Sequence, residues 1–278
     1  MPLGRALLPS LLLLSVVWSS ASSCRVQPRF APLPLLRGGG APDHDAASAL
    51  GTQEHWRETY TRQLGNLAET GDPGEEWFEE ENHCVERIVS WIADQLCAGE
   101  VASRRVLDVG CGNGGMLVQL GQAGFLRLTG ADYVEQALEL AKANLVRELA
   151  GGGQLSGGSA VAWEVVLDNV LESQLAEGSF DLIHDKGTLD AILLSCSGPE
   201  AQASVATRYS KAVERLARTG GLLVVTSCNL SEAELISAIS AQSSWEFRDS
   251  LRYPTLSFGG SEGSRIASVA FIKSGPPL

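Results

Sequence analysis

The stretch Asp108-Val-Gly-Cys-Gly-Asn-Gly114 decides the fold class of this chain of 278 residues. It ends a short apolar strand, Arg105-Val-Leu-Asp-Val109, and leads into a segment with helical apolar spacing. Gly110 and Gly112 have no side chain, so the backbone there can turn sharply and approach a ligand closely. A helix that starts directly after the turn points free N–H groups at that ligand. The pattern therefore predicts a strand–loop–helix unit that holds a nucleotide-like cofactor.

Two kinds of cofactor compete for this loop. Asp132 ends the next predicted strand, 22 residues after Gly110, where an acid accepts the hydroxyls of a ribose. A dinucleotide site needs the spacing G-x-G-x-x-G and places a pyrophosphate on the helix N-terminus. This loop departs from that spacing, and Asp108 would repel a pyrophosphate. The acid favours a cationic cofactor without phosphate, which describes S-adenosylmethionine.

Strands and helices alternate along the chain from residue 101 onward. Alternation of this kind predicts an α/β fold with a mostly parallel sheet and helices on both faces. The last two strands have no helix between them, so we expect them to pair antiparallel. The predicted strands are 105–109, 126–131, 161–167, 180–184, 221–226, 245–251 and 266–273. The predicted helices are 53–67, 115–123, 134–149, 204–216 and 231–241, with a helical apolar stripe from 85 to 92.

The first 48 residues form a separate segment. Residues 6–18 are mostly apolar but too short for a bilayer, which needs about 20 residues. Arg5 before them and the small residues 19–23 after them fit a secretory signal peptide. The arginines without acids also resemble a mitochondrial presequence, and an alternative translation start is a third interpretation. We therefore predict a signal-like or disordered extension over residues 1–48.

The remaining chain is predicted as one domain over residues 49–274. Residues 49–100 form its N-terminal helical part, and residues 101–274 form the α/β core that binds the cofactor. The net charge is −12, from 21 basic and 33 acidic residues. Residues 1–42 carry four arginines and no acid, so the rest of the chain has a net charge of −16. A body this acidic argues against nucleic acid and anionic membranes as partners and favours a basic one.

The six cysteines are scattered, with no C-x-x-C pair and no Cys/His cluster at zinc spacing. In a chain long enough to form a core, buried free thiols are the simpler interpretation. We expect neither a disulfide framework nor a bound metal.

The glycine loop also resembles motif I of the class I, seven-stranded methyltransferases that use S-adenosylmethionine. The resemblance covers residues 105–273 and implies a Rossmann-like sheet of seven strands with a reversed last strand. It implies that Asp132 binds the ribose and that Asp168, after the third strand, meets the adenine amino group. The end of the fourth strand, where Asp185 lies, then faces the transferred methyl group.

Four further motifs are similar to the elongation factor 1-alpha lysine methyltransferase 2 family, over about residues 49–274. These motifs occur in the same order along the chain as in that family. The chain departs from the family pattern at residues 1–48 and in the glycine-rich loop 151–158. The motifs are Leu50-Gly-Thr-Gln-Glu-His-Trp56, Gly71-Asp-Pro-Gly-Glu-Glu-Trp-Phe78, Asp185-Lys-Gly-Thr-Leu-Asp-Ala191, and Thr226-Ser-Cys-Asn229 with Ser257-Phe-Gly-Gly260. The resemblance implies a protein-lysine methyltransferase whose basic protein substrate is elongation factor 1-alpha.

Methyl transfer to an amine requires a neutral lysine, an acceptor that aligns its lone pair, and exclusion of water. We predict Asp185 as that acceptor, with Thr188 and Asn229 behind it. Trp77 and Phe78 are candidates to cover the cofactor or the lysine stem. The predicted cofactor-binding residues are Trp77, Asp108, Gly110, Gly112, Asp132, Tyr133 and Asp168.

Other functions stay open at this point. A small-molecule methyltransferase would need a closed pocket, and a non-catalytic protein that binds S-adenosylmethionine would keep the loop without turnover. A nicotinamide dehydrogenase fits less well because of the glycine spacing and Asp108. We expect a monomer in the cytoplasm, with the nucleus as an additional location. The secretory pathway or the mitochondrion is the alternative if residues 1–23 act as a signal.

Overall fold

A computed structural model of the chain describes residues 48–78, 83–150, 160–254, 256–258, 261–263 and 266–275. These residues belong to one compact unit. The predicted extension lies outside the described residues apart from Ser48, and so does the loop 151–158. Within the described part, no helix is both long and apolar enough to cross a membrane.

A seven-stranded sheet forms the centre of the molecule. Its order is β3-β2-β1-β4-β5-β9-β6. The five neighbours from β3 to β5 pair parallel, while β9 pairs antiparallel with both β5 and β6. The predicted Rossmann-like fold with its reversed last strand is thereby confirmed. The strands are β1 (Arg105–Val109), β2 (Arg127–Asp132), β3 (Ala162–Leu167), β4 (Phe180–Lys186), β5 (Ala217–Ser227), β6 (Trp245–Leu251) and β9 (Ala267–Lys273).

Helices cover both faces of this sheet. One core cluster joins the sheet to α2, α3 and α4, and a second cluster joins it to α5, α6 and α7. Neighbouring strand residues alternate between the two clusters, as Leu182 and Ile183 do in β4. The helices are α1 (Gln53–Thr70), α2 (Cys84–Ser90), α3 (Gly115–Gln122), α4 (Glu135–Leu145), α5 (Thr188–Leu194), α6 (Pro199–Leu216) and α7 (Glu232–Ser240).

The first described helix lies beside the carboxyl edge of the sheet. In α1, Tyr60 is buried against Val134, Ala137 and Leu140 at the start of α4 and within it. The chain just before α1 reaches across to α5, because Ser48 N donates to Leu194 O at 3.1 Å. The N-terminal segment therefore closes one side of the sheet edge where the strand ends gather.

Several elements differ from the sequence prediction. Helix α6 begins at Pro199 and strand β5 begins at Ala217, five and four residues earlier than predicted. Strand β4 continues to Lys186, two residues beyond the predicted end. Helix α5 was not predicted, because its start at Gly187 has a positive φ and no side-chain cap. A short hairpin, β7 (Leu256–Phe258) and β8 (Ser261–Gly263), lies outside the main sheet.

Candidate active site

A cavity of about 300 Å³ lies across the carboxyl ends of five parallel strands. This edge is where open α/β sheets bind their ligands. Each strand from β3 to β5 contributes residues at or just after its end, and α1 with the segment before α2 forms the opposite wall. From the β3 side to the β5 side, the polar lining residues include Asp168, Asp132, Asp108, Thr188 and Asn229.

The glycine loop forms the floor of the cavity with backbone alone. Gly110 and Gly112 have φ values of 64° and 52°, in the left-handed region. A Cβ at Gly110 would lie 1.9 Å from Thr188 Oγ1, and one at Gly112 would lie 2.7 Å from Tyr60 Oη. Conformation and close packing thus both require glycine here, and the bare backbone leaves room for a ligand.

Asp132 links β2 to this loop. Its two carboxylate oxygens accept the N–H groups of Gly112 at 3.1 Å and Val134 at 2.9 Å. Burial raises the pKa of Asp132 to about 6, although these two hydrogen bonds lower it. Each oxygen keeps a further lone pair, and the residue lines the cavity. Asp132 therefore fits a pair of ribose hydroxyls, as the sequence predicts.

Asp108 lies deeper, on the strand itself. It is 3% exposed and pairs in the sheet with His184, whose Nδ1 lies 2.7 Å from its Oδ1. The histidine fixes one oxygen of the carboxylate, and Asp108 still lines the cavity. A buried acid at the centre of the site fits a cationic ligand better than a phosphate.

The β3 side holds the two remaining predicted cofactor residues. Asp168 accepts the N–H of Gln174 at 2.9 Å through Oδ1, and its own N–H donates to Asp132 O. Tyr133 is half-buried, and its backbone oxygen accepts Gln53 Nε2 at 2.7 Å. Both residues line the cavity next to Asp132. The structure thus places Asp168, which the resemblance assigns to the adenine, together with Tyr133 on the β3 side of the cavity.

Asp185, the predicted amine acceptor, does not line the cavity and is fully buried. Its carboxylate accepts the N–H groups of Thr188 and Leu189 and the hydroxyl of Tyr209 at 2.5 Å. Burial raises its pKa to about 7. Since β4 continues to Lys186, alternation along the strand turns Asp185 to the face opposite Lys186. The structure therefore differs from the predicted placement: Asp185 holds the turn from β4 into α5 and lies outside the cavity lining.

The other two predicted catalytic residues do line the cavity. Thr188 is half-buried and donates its hydroxyl to Val109 O at 2.8 Å, so it supports the glycine loop. Asn229 is exposed at the β5 side.

Between Thr188 and Asn229 lies Asp190, which the sequence analysis does not single out. It is 4% exposed, accepts the hydroxyl of Ser227 and the N–H of Cys228, and has its pKa raised by burial.

Aromatic residues cover the cavity from the N-terminal side. Trp77 is half-buried and packs edge-on against Trp56, with 5.2 Å between ring centroids. Trp56 stacks on Tyr60, and burial raises the pKa of that phenol well above its usual value. All three rings line the cavity. Trp77 thus lies where the sequence predicts a cover.

The residues that line the cavity without being predicted as site residues include Tyr60, Glu76, Lys186 and Asp190. Glu76, Lys186 and Asp190 lie inside motifs quoted above, at positions whose orientation the motif alone does not give, whereas Tyr60 lies four residues after the first motif. Among the described residues, no group of His, Cys, Asp and Glu is arranged to hold a metal ion. The five cysteines in this part of the chain are free thiols.

The chain matches a family model for a methyltransferase domain over residues 101–260. A relative from Mus musculus named EEF1A lysine methyltransferase 2 is 35% identical over 247 residues, which are 89% of this chain and 93% of the relative. The human protein of that name is 35% identical and covers 84% of this chain and 92% of its own length. Protein-lysine N-methyltransferase EFM4 from Saccharomyces cerevisiae is 32% identical, with 82% and 96% covered.

Solved structures share the fold at low sequence identity. Magnesium protoporphyrin IX methyltransferase from Synechocystis PCC 6803, with bound S-adenosylmethionine, matches with a TM-score of 0.54. It is 16% identical and covers 83% of this chain and 100% of its own. N-methyltransferase NodS from Bradyrhizobium japonicum WM9, in complex with S-adenosylhomocysteine, gives 0.52 at 17% identity, with 78% and 98% covered. The family resemblance that the motifs predict is confirmed.

Proposed function

Because the chain belongs to the family of protein-lysine methyltransferases that includes EEF1A lysine methyltransferase 2 and EFM4, we propose that it methylates a lysine of elongation factor 1-alpha. The donor is S-adenosylmethionine. The observation that carries this proposal is the match of about a third of the residues over most of both chains, combined with an intact cofactor cavity. The domain assigned to this activity is residues 49–274.

The cavity suits S-adenosylmethionine in shape and charge. Gly110 and Gly112 leave the backbone bare, and Asp132 accepts the ribose hydroxyls. Asp108 faces the positive charges at the methionine end, while Asp168 and Tyr133 border the adenine. The cofactor supplies a methyl group activated by its sulfonium, so the protein mainly orients and desolvates the reactants.

The lysine enters at the β4–β5 side. Asp190 and Asn229 are the polar side chains there whose oxygens can accept a hydrogen bond from the amine and align its lone pair. A free lysine has a pKa of about 10.4 and must be neutral to attack. The apolar residues Ile192 and Leu194 of α5 line this side and favour the neutral amine by desolvation. Thr188 keeps the glycine loop in position through its bond to Val109.

A protein substrate fits this site better than a small molecule. Cys228 and Asn229 line the cavity and are exposed, so the β5 side opens to solvent. The side chain of a lysine can enter such an opening while the rest of its protein stays outside the cavity. The acidic charge of the chain outside residues 1–42 favours a basic partner by long-range attraction.

The same charge argues against nucleic acid and anionic membranes as partners. We propose a monomer that works in the cytosol, where both S-adenosylmethionine and elongation factor 1-alpha are found, with the nucleus as a second location. Fractionation of the tagged full chain, with analysis of its N-terminus, tests this. A product that is glycosylated and begins near Ser22 would contradict a cytosolic site.

The substrate is tested with purified components. The full chain is incubated with S-adenosylmethionine and unmethylated elongation factor 1-alpha, and peptides of the factor are examined by mass spectrometry. We expect one or more methyl groups on a lysine. A factor that stays unmodified while the enzyme methylates other proteins would contradict the proposed substrate and leave the family activity intact.

A further inference from the structure

Residues 75–78, called here the cover segment, form one wall of the cavity and are held by Lys186. The Nζ atom of Lys186 lies 2.7 Å from Glu76 Oε1 and donates to Trp77 O at 3.1 Å. It also lies 5.6 Å from the centroid of the Phe78 ring. A single ammonium at the end of β4 therefore contacts three consecutive residues of the cover segment.

This contact is largely shielded from water. The side chain of Lys186 is 10% exposed and that of Glu76 is 22% exposed. Ion pairs on the open surface contribute little because water and salt screen them, whereas partly buried pairs are screened less. The Lys186–Glu76 pair is thus placed where it can hold two segments together.

One glycine makes room for the cover segment, and a second lies at ordinary contact distance from it. A Cβ at Gly115, the first residue of α3, would lie 1.9 Å from Glu76 Oε2, and a Cβ at Gly187 would lie 3.4 Å from Phe78 Cζ. Asn113 adds a hydrogen bond from Nδ2 to Glu75 O at 3.2 Å. The cover segment is therefore fitted to the glycine loop on one side and to the β4–α5 turn on the other.

Held by these contacts, the cover segment forms a wall that faces the glycine loop. All four residues of the cover segment line the cavity, and Trp77 is further supported by Trp56. We propose that Lys186 is a positioning residue that clamps the cover segment over the bound cofactor through Glu76. This role rests on the proposed function, because it presumes that the cavity binds S-adenosylmethionine.

A direct bond from Lys186 to the carboxylate of the cofactor is the competing role. The contacts favour the clamp, because the charge of Lys186 is already paired with Glu76 and a second donor is taken by Trp77 O. The two roles predict opposite effects of removing Glu76. If Lys186 is a clamp, loss of Glu76 releases the cover segment and weakens cofactor binding. If Lys186 binds the cofactor directly, loss of Glu76 frees the lysine for that bond and does not weaken binding.

The test is a double-mutant cycle on the full chain, with S-adenosylhomocysteine affinity measured by calorimetry. We expect Lys186→Met and Glu76→Gln each to raise the dissociation constant by about tenfold. The double variant is expected to bind no more weakly than either single variant, because both substitutions remove the same contact. Lys186→Arg keeps the charge and should restore most of the affinity. Arg218→Met is the matched control, since it removes an ion pair with Asp181 at the opposite end of β4.

Hydrogen exchange supplies an independent readout. Amides of the cover segment should exchange faster in Lys186→Met than in the unsubstituted protein. Fully additive losses, or a Glu76→Gln variant that binds as tightly as the unsubstituted protein, would overturn the clamp in favour of direct binding. A lower melting temperature with unchanged affinity and exchange would overturn it in favour of a purely structural pair. If the unsubstituted protein fails to bind S-adenosylhomocysteine, the proposed function fails and the clamp with it.

Discussion

Asp132 shows how one side chain serves both the fold and the ligand. Its oxygens accept the N–H groups of Gly112 and Val134, and it lines the cavity. We predict that Asp132→Ala weakens S-adenosylhomocysteine binding by about 1–3 kcal/mol, because a charged acceptor for hydroxyls is lost. Calorimetry measures this, with Glu135→Ala as control for an exposed acid nearby. An unchanged affinity would contradict the ribose assignment.

The pKa of Asp132 makes this binding depend on pH. Burial raises that pKa to about 6, so the carboxylate becomes protonated as the pH falls from 7 to 5. Affinity for S-adenosylhomocysteine should fall over that range, and the fall should be smaller in Asp132→Asn, which does not titrate. Parallel pH dependence in the two proteins would show that another group is responsible.

Asp185 affects stability in the opposite way to a carboxylate whose pKa is lowered by folding. Burial raises its pKa from 3.8 to about 7, so folding favours the protonated form. Its contribution to the free energy of unfolding is therefore fully present below pH 4 and is lost as the pH rises through 7. We predict that Asp185→Asn gains stability relative to the unsubstituted protein between pH 5 and pH 8. Urea unfolding at both values measures this, and a pH-independent difference would contradict the assignment.

At the scale of elements, the glycine loop depends on α5 as well as on its own conformation. Gly110 and Gly178 have nearly equal φ values, 64° and 63°. A Cβ at Gly110 meets Thr188 Oγ1, whereas one at Gly178 meets nothing within 4 Å. Alanine costs about 1–2 kcal/mol of backbone strain at either position. We predict that only Gly110→Ala abolishes S-adenosylhomocysteine binding, and equal binding losses in both variants would contradict this packing.

The same region shows what sequence could and could not predict. The βα alternation and the lack of a helix before the last strand predict the sheet and its reversed strand correctly. The end of β4 is different, because Asp185-Lys-Gly-Thr188 has no periodicity from which to place the boundary. A strand that ends at His184 would leave Asp185 free to face the cavity. The structure continues β4 to Lys186, and alternation then sends Asp185 to Tyr209 and Lys186 to Glu76.

For the molecule as a whole, the order of the strands sorts the candidate residues along the cavity. Asp132 and Asp168 lie at the β2–β3 side, and Asp190 and Asn229 lie at the β4–β5 side. The sequence identifies the acidic residues but not their spacing across the sheet, because residues that are paired on neighbouring strands are separated by tens of positions in the chain. The acidic charge of the chain predicts a basic partner without identifying it.

The central claim is that this cavity transfers a methyl group to a protein lysine. The most direct measurement incubates the full chain with S-adenosylmethionine labelled in its methyl group and with lysate lacking methylated elongation factor 1-alpha, then separates proteins from small molecules. We predict label on one protein band, at a lysine of elongation factor 1-alpha, and none when Gly110→Ala replaces the unsubstituted enzyme. Label confined to the small-molecule fraction, or no label although the cofactor binds, would contradict the account.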